Sequence, residues 1–130
     1  MYSKVDKIAK KLHEVAVEKG FWDSVVDYDF LCTKLLLIHS EVTEATEALR
    51  KNKGPEELAE EMADILIRTL DLYEGMYEYG YISSDLSYIL GYKNKKNKER
   101  ERLHGNNFWL ENKWVMKEEL YHFLIIQTLV

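Results

Sequence analysis

Two apolar stripes on either side of a helix-breaking segment constrain the fold of this chain more than any other feature. The first alternates steps of four and three residues and comprises Leu31, Leu35, Ile38, Val42, Ala45 and Leu49. The second has the same spacing and comprises Leu58, Met62, Ile65, Thr69, Leu72, Met76 and Tyr79. Between them, residues 52–55 (NKGP) place Gly where a helix ends and Pro where the next begins. The pattern predicts two long helices joined by a tight turn.

The two stripes are also in register. In an antiparallel hairpin, residues lie at one level when their numbers add to a constant, because each helix rises about 1.5 Å per residue away from the turn. Stripe pairs from Leu31 with Met76 to Leu49 with Leu58 all meet this condition. We therefore expect the two apolar faces to meet in a helical hairpin.

The rest of the chain favours further helices. A first helix ending near Gly20 is predicted by the stripe Val5, Ile8, Leu12 and Val15. Asp29 is a candidate cap of the second helix, and Ser83 or Ser84 of a fourth. A last helix is expected between Phe108 and Val130, and no convincing segment alternates with period two. The expected fold is an all-α bundle of four to five helices built around the hairpin.

Length and composition favour one domain. The chain has 130 residues, 46% of them hydrophobic, which fits a single domain over residues 1–130 with a C-terminal extension from residue 109. A net charge of −5 argues against nucleic acid as a partner. The longest apolar runs have four residues, too few to span a membrane. Cys32 is the only cysteine and no targeting segment is evident at the N-terminus, so a cytoplasmic location is expected.

Four acidic residues lie beside the stripes at matched levels. By the same number rule, Glu41 faces Asp64 and Glu44 faces Glu61, all to one side of the packed seam. Like charges this close repel and raise one another's pKa values unless a cation lies among them. Carboxylate ligands completed by water and phosphate suit Mg²⁺, with Mn²⁺ as a substitute. The alternative is a solvated acidic face near a helix N-terminus.

Further motifs follow these acidic residues in a fixed order. The segments are KGFWD (19–23), KLLLIHSEVTEATEALRK (34–51) and EEMADILIRTLDL (60–72). A downstream element with the spacing Lys-x-x-x-Asn-x-x-Arg comprises Lys93, Asn97, Arg100, His104, Gly105 and Phe108. Over residues 19–108 the chain resembles the all-α nucleoside triphosphate pyrophosphatases, in particular the MazG-like proteins. Their paired acidic motifs are Glu-x-x-Glu followed by Glu-x-x-Asp.

This resemblance implies Mg²⁺-dependent hydrolysis of a nucleoside triphosphate to the monophosphate and pyrophosphate, as in house-cleaning of nucleotide pools. It also implies a homo-oligomer, either a dimer or a tetramer. The implied catalytic metal ligands are Glu41, Glu44, Glu61 and Asp64, one of which also orients or deprotonates the attacking water. The implied phosphate-binding residues are Lys93, Asn97 and Arg100.

Other residues near these motifs have two interpretations each. Trp22 is either a platform for the base or a core residue. Lys34 and Asp71 are expected to form a salt bridge with each other rather than to contact the substrate. Arg68 is expected to pair with Asp64 or Asp71. The segment 93–102 has six basic and two acidic residues, which is typical of a solvated face as well as of phosphate binding.

Two other functions compete with hydrolysis. Glu101-x-x-His104 and Glu119-x-x-His122 have the pattern found in di-iron helical bundles, although His104 lies in the most polar part of the chain. A non-enzymatic helical interaction module explains the stripes but leaves the matched acidic pairs to chance.

Overall fold

The computed structural model describes residues 3–101 and contains four α-helices in this part of the chain. They are α1 (Lys4–Glu18), α2 (Tyr28–Arg50), α3 (Pro55–Glu78) and α4 (Leu86–Glu99). No residue in the described range lies in a strand, so the all-α prediction is confirmed. None of these helices is long and apolar enough to cross a membrane. The helix expected between Phe108 and Val130 lies outside the described residues.

The chain divides into two compact units after Gly91, a position within α4. The first unit holds α1, α2, α3 and the start of α4. The described part of the second unit is residues 92–101. The expected single domain over residues 1–130 stays a prediction.

The α2–α3 hairpin forms where the sequence predicts it. α2 ends at Arg50, and Asn52 and Gly54 adopt φ values of 50° and 106°. Gly54 tolerates this left-handed backbone because it has no Cβ, and Pro55 then begins α3 with a suitable φ. Cross-helix contacts join Lys34 to Asp71 and Glu41 to Arg68, so the two helices run antiparallel in the expected register.

The two stripes meet only at alternate positions. On α2, Leu31 and Ala45 are buried, whereas Leu35 and Leu49 are 52% and 65% exposed. On α3, Leu72 is buried and Met62 is 50% exposed. The reason is that α1 packs against α3 and leaves the other edge of the hairpin uncovered within the described chain.

A small aromatic core joins the connector 21–27 to the hairpin. Trp22, Leu31 and Leu72 are buried together, with Phe30 among the side chains packed around them. Gly75 of α3 allows this packing, because a Cβ built there would lie 2.0 Å from the Trp22 ring. The absence of a side chain at Gly75 therefore fixes how closely α3 approaches the indole.

The buried face of α1 differs from the predicted one. Ile8 and Val15 are 52% and 54% exposed, whereas Asp6, Ala9 and His13 are buried. The polar residues are buried because each has a partner. Asp6 accepts a hydrogen bond from the Ser87 amide at 2.9 Å, and His13 bonds to a carboxylate of α3.

Two helix caps also differ from the expected residues. The side chain of Asp27, not Asp29, caps α2 by accepting from the Phe30 amide at 2.9 Å. At the start of α4, Asp85 accepts from the Tyr88 amide at 2.9 Å, in place of Ser83 or Ser84. In both cases the residue directly before the first helical turn has the geometry to accept this bond.

Candidate functional site

Three carboxylates from two helices converge on one side of the hairpin. Glu41 lies in the middle of α2, while Glu61 and Asp64 lie one turn apart on α3. Each offers a carboxylate oxygen, and the three oxygens lie within 4.8 Å of one another. Glu41 is buried, Glu61 is half-buried and Asp64 is exposed, so the group opens to the surface. The sequence-derived register therefore brings these residues together as expected. We call them the acidic cluster.

Glu44 lies beside the acidic cluster but is not one of its three members. Its exposed side chain shares a hydrogen bond with Glu41, one turn earlier on α2. That bond, the charge of Glu41, slight desolvation and the charges of Glu61 and Asp64 together raise the pKa of Glu44. The repulsion expected from the sequence is therefore concentrated on this one carboxyl group.

Arg68 neutralises the buried member of the cluster. Its Nε donates a hydrogen bond to Oε1 of Glu41. Burial alone would raise the pKa of Glu41, but the hydrogen bonds with Arg68 and Glu44, together with the guanidinium charge, lower it. The expected partners of Arg68, Asp64 and Asp71, were wrong. The α3 turn at Arg68 lies across the hairpin from Glu41, whose buried carboxylate needs a counter-charge.

Asp71 anchors a buried polar network. Its Oδ1 accepts a hydrogen bond from Trp22 Nε1 at 2.9 Å and lies 2.8 Å from His13 Nδ1. His13 Nε2 in turn lies 3.4 Å from a carboxylate oxygen of Glu78. The network fixes α1 and the connector to α3 through one carboxylate oxygen.

Trp22 is a core residue rather than an open platform for a base. It is 5% exposed, stacks on Tyr79 at 6.0 Å and meets the His13 ring edge-on at 4.7 Å. An indole stacked and hydrogen-bonded in this way has little free ring face. The structure thus favours the second interpretation of Trp22 given by the sequence.

The expected pair between Lys34 and Asp71 is present, with Nζ 3.9 Å from Oδ2. The ammonium also lies over three aromatic rings, 4.7 Å from Trp22, 5.3 Å from Phe30 and 5.8 Å from Phe21. Burial lowers the pKa of Lys34, the Asp71 charge opposes this effect, and the Arg68 charge adds to it. The three ring faces and the Asp71 carboxylate therefore hold Lys34 in place together.

A pocket of about 400 Å³ adjoins the acidic cluster, between α1, α2 and α3. Its volume is within the range of small-molecule sites. The apolar wall includes Leu12, Val15, Ala16, Phe21 and Ile67. The charged wall comprises Lys34, Glu41, Asp64, Arg68 and Asp71. Cluster and pocket share Glu41 and Asp64, so one ligand can contact both.

Sequence reasoning missed two features of this pocket. It assigned Leu12 and Val15 to a packed stripe, whereas they line an open wall. It also missed the contact between Arg68 and Glu41, although the numbers of these residues add nearly to the constant of the hairpin. Applying the register rule to Arg68, as to Lys34, would have found that contact.

The basic element lies in the second unit. Lys93 and Asn97 are four residues apart on one face of α4, Arg100 follows the end of the helix, and all three are exposed. Lys96 Nζ lies 4.9 Å from the centre of the Tyr92 ring. His104, Gly105, Phe108 and the second Glu-x-x-His pair lie outside the described residues.

The donor set of the acidic cluster fits a hard divalent cation. All three ligand atoms are carboxylate oxygens, which suit Mg²⁺ better than Zn²⁺. Arg68 engages one oxygen of Glu41, and a carboxylate has about four lone-pair sites, so Glu41 keeps capacity as a ligand. The structure therefore brings together three of the four acidic residues expected from the sequence, with Glu44 next to them.

No family model matches the chain, and no curated protein or solved structure matches it either. The resemblance to MazG-like proteins stays a prediction.

Proposed function

We propose that this protein is a Mg²⁺-dependent nucleoside triphosphate pyrophosphohydrolase of the MazG-like type. It cleaves the bond between the α and β phosphorus atoms and releases the monophosphate and pyrophosphate. The observation that carries the proposal is the junction of the acidic cluster with a pocket of about 400 Å³. That junction suits a ligand with a polyanionic end and a ring-shaped organic end.

The charged groups at this junction suit phosphoanhydride hydrolysis. The reaction requires neutralisation of phosphate oxygens and a water molecule held in line with the bond that breaks. Mg²⁺ supplies Lewis-acid neutralisation when it is bound. Glu41, Glu61 and Asp64 would hold the metal, and Glu44, which lies beside them, would complete the set or orient the water.

Cationic side chains contact the remaining phosphate charge in this proposal. Arg68 already lies at the pocket beside Glu41. Lys93, Asn97 and Arg100 are the further phosphate ligands that the resemblance implies. Their arrangement within the second unit supports this role, because Lys93 and Asn97 share a face of α4 and all three side chains are exposed.

The proposed enzyme is a cytoplasmic homo-oligomer with Cys32 reduced. Leu35, Val42 and Met62 leave an apolar strip exposed along the hairpin, and this strip supports association with a second copy. Light scattering on the purified full chain measures its mass in solution. A mass corresponding to 15.4 kDa at all concentrations would remove the oligomer from the proposal.

Product analysis tests the reaction itself. The purified protein is incubated with each common deoxynucleoside triphosphate and Mg²⁺, and the products are separated by anion exchange. We expect equal amounts of monophosphate and pyrophosphate, with no reaction in excess chelator. Diphosphate and orthophosphate as primary products would place the cleavage at another bond and contradict the proposal.

A further inference from the structure

Lys34 has hydrogen-bonding capacity that its surroundings do not use. Its ammonium carries three N–H donors. Its only polar partner in the described chain is Asp71 Oδ2, and 3.9 Å is too long for a hydrogen bond. Only 12% of the side chain is exposed, and three ring faces hold the ammonium in place. Lys34 therefore presents fixed donors to the pocket that it lines.

Asp71 has the complementary capacity. Trp22 and His13 both bond to Oδ1, so Oδ2 is the oxygen that remains to accept. The Asp71 side chain is 11% exposed and also lines the pocket. No buried side-chain nitrogen or oxygen of the described residues lacks a hydrogen-bond partner, so the unbonded Lys34 Nζ and Asp71 Oδ2 are open to the pocket. A ligand edge that carries an acceptor beside a donor can bond to both.

The distance of Lys34 and Asp71 from the acidic cluster matches the distance between the phosphates and the base of a nucleotide. Lys34 lies seven residues before Glu41 on α2, and Asp71 lies seven residues after Asp64 on α3, so the pair is two turns from the acidic cluster on both helices. Phe21 and Val15 contribute an apolar wall to the same pocket. A ligand whose phosphates lie at the cluster has its base near the pair.

We propose that Lys34 and Asp71 select the nucleobase, with Lys34 donating to an acceptor on the polar edge of the base and Asp71 Oδ2 accepting from the donor beside it. This inference rests on the proposed function and deepens it, because it names the residues that determine substrate specificity. Asp71 is held in its orientation by Trp22 and His13, which act as positioning residues.

Lys34 and Asp71 would distinguish bases by the order of the hydrogen-bond acceptor and donor along the edge of the base. Uracil and guanine present a carbonyl oxygen followed by a ring N–H, whereas cytosine and adenine present an amino group followed by an unprotonated ring nitrogen. With the triphosphate fixed at the other end, one order matches the pair. The other order sets donor against donor and acceptor against acceptor, which costs binding energy.

The discriminating experiment compares kcat/KM within two nucleotide pairs, dUTP against dCTP and dGTP against dATP. We expect discrimination of about tenfold or more in each pair, in the same sense, from hydrogen bonds to charged groups. In Lys34→Met, whose side chain still fills the space among the rings, both ratios fall toward one. Lys34→Gln, which can donate and accept, lowers both ratios by a smaller factor than Lys34→Met does.

Lys51→Met is the matched control. Lys51 is an exposed residue directly after α2 and pairs with Glu47 at 3.0 Å. Its replacement should leave both ratios unchanged. If Lys34→Met lowers kcat/KM for all four nucleotides by one common factor, Lys34 has a merely structural role and the inference fails. Equal kcat/KM values for all four nucleotides in the wild-type protein would also overturn it.

A readout without hydrolysis separates this inference from the proposed function. Calorimetry measures binding of dUMP, dCMP, dGMP and dAMP to the metal-free protein and to Lys34→Met. Paired preferences that disappear in the variant support base selection even if no triphosphate releases pyrophosphate. Equal binding of all four monophosphates contradicts base selection even if pyrophosphate release is observed.

Discussion

Arg68 of α3 donates a hydrogen bond through Nε to the carboxylate of Glu41 on α2. Glu41 is only 6% exposed. This contact places a cation against the buried member of the acidic cluster. In the metal-free protein Arg68 therefore supplies part of the positive charge that the carboxylates require. It also joins the two helices of the hairpin at the level of the cluster.

Arg68→Met tests the stabilising role of that contact. The pKa of Glu41 is lowered from its ordinary value of 4.5 in the folded protein, so its contribution to stability is present above that value and is lost as pH falls through the folded pKa. Without Arg68, burial dominates and the carboxylate becomes costly at pH 7. We expect a loss of about 1 to 2 kcal/mol in urea unfolding at pH 7, since solvent screens part of the pair.

The control for this variant is Arg50→Met. Arg50 pairs with Glu47 at 3.0 Å on the exposed surface of α2, where an ion pair contributes little. Its unfolding midpoint should match that of the wild-type protein. Equal midpoints for the two variants at pH 7 would mean that Arg68 does not stabilise Glu41.

Glu44→Gln tests the repulsion within the cluster. The pKa of Glu44 is raised from 4.5, so the folded state binds its proton more tightly than the unfolded state and loses stability as pH rises through this range. The uncharged variant should therefore have a higher Tm than the wild-type protein at pH 7 without Mg²⁺. The difference should vanish below pH 4.5, where the unfolded state is protonated too. A lower Tm at pH 7 would contradict the electrostatic account.

Gly75→Ala tests the close approach of α3 to the core. The added methyl would overlap the Trp22 ring, whose Cη2 lies 2.0 Å from the position of a Cβ, and the indole is already hydrogen-bonded to Asp71. We expect a loss of about 1 to 3 kcal/mol in thermal or urea unfolding. Gly91→Ala is the control, because nothing lies within 4 Å of its Cβ position. In a helix that change should instead stabilise by about 0.5 to 1 kcal/mol.

The hairpin and the acidic cluster were predictable because both depend on helix periodicity. Once the turn at residues 52–55 is placed, the rise per residue determines that Glu41 lies opposite Asp64. The same rule holds for Lys34 and Asp71, which pair as expected. Contacts between residues that share a helix face, or a level in the hairpin, can therefore be predicted from the sequence.

The buried face of α1 was not predictable in this way. Hydropathy places Ile8 and Val15 inside, but burial of Asp6 and His13 depends on partners that are distant in sequence, Ser87 and Asp71. A buried polar residue is stable only with its partner, and periodicity does not identify that partner. The pocket beside α1 could not be predicted from the sequence for the same reason.

Arg100→Ala tests the basic element of the second unit. If Arg100 binds the triphosphate, its loss should lower kcat/KM by about 1.5 to 3 kcal/mol of transition-state stabilisation, the scale of a charge-assisted hydrogen bond. The Mg²⁺ affinity of the free enzyme should change little. Steady-state kinetics at fixed salt concentration measures the effect.

Lys96→Ala is the internal control for Arg100. Lys96 lies outside the Lys-x-x-x-Asn-x-x-Arg spacing and engages the ring of Tyr92, whose pKa is lowered by a hydrogen bond from Lys96 and by the lysine charge. Its removal should leave kcat/KM almost unchanged. Equal small losses for the two variants would indicate a solvated basic face without a phosphate role.

The metal site is tested by a Mg²⁺ titration of pyrophosphate release by the wild-type protein, Asp64→Asn and Glu60→Gln. Asp64 contributes an oxygen to the acidic cluster, whereas Glu60 is an exposed acidic residue of the same helix outside the cluster. We predict Mg²⁺-dependent release by the wild-type protein and by Glu60→Gln. Asp64→Asn should lose at least about 100-fold in turnover while its helical circular dichroism is retained. Near wild-type turnover of Asp64→Asn at saturating Mg²⁺ would show that the acidic cluster is not the metal site.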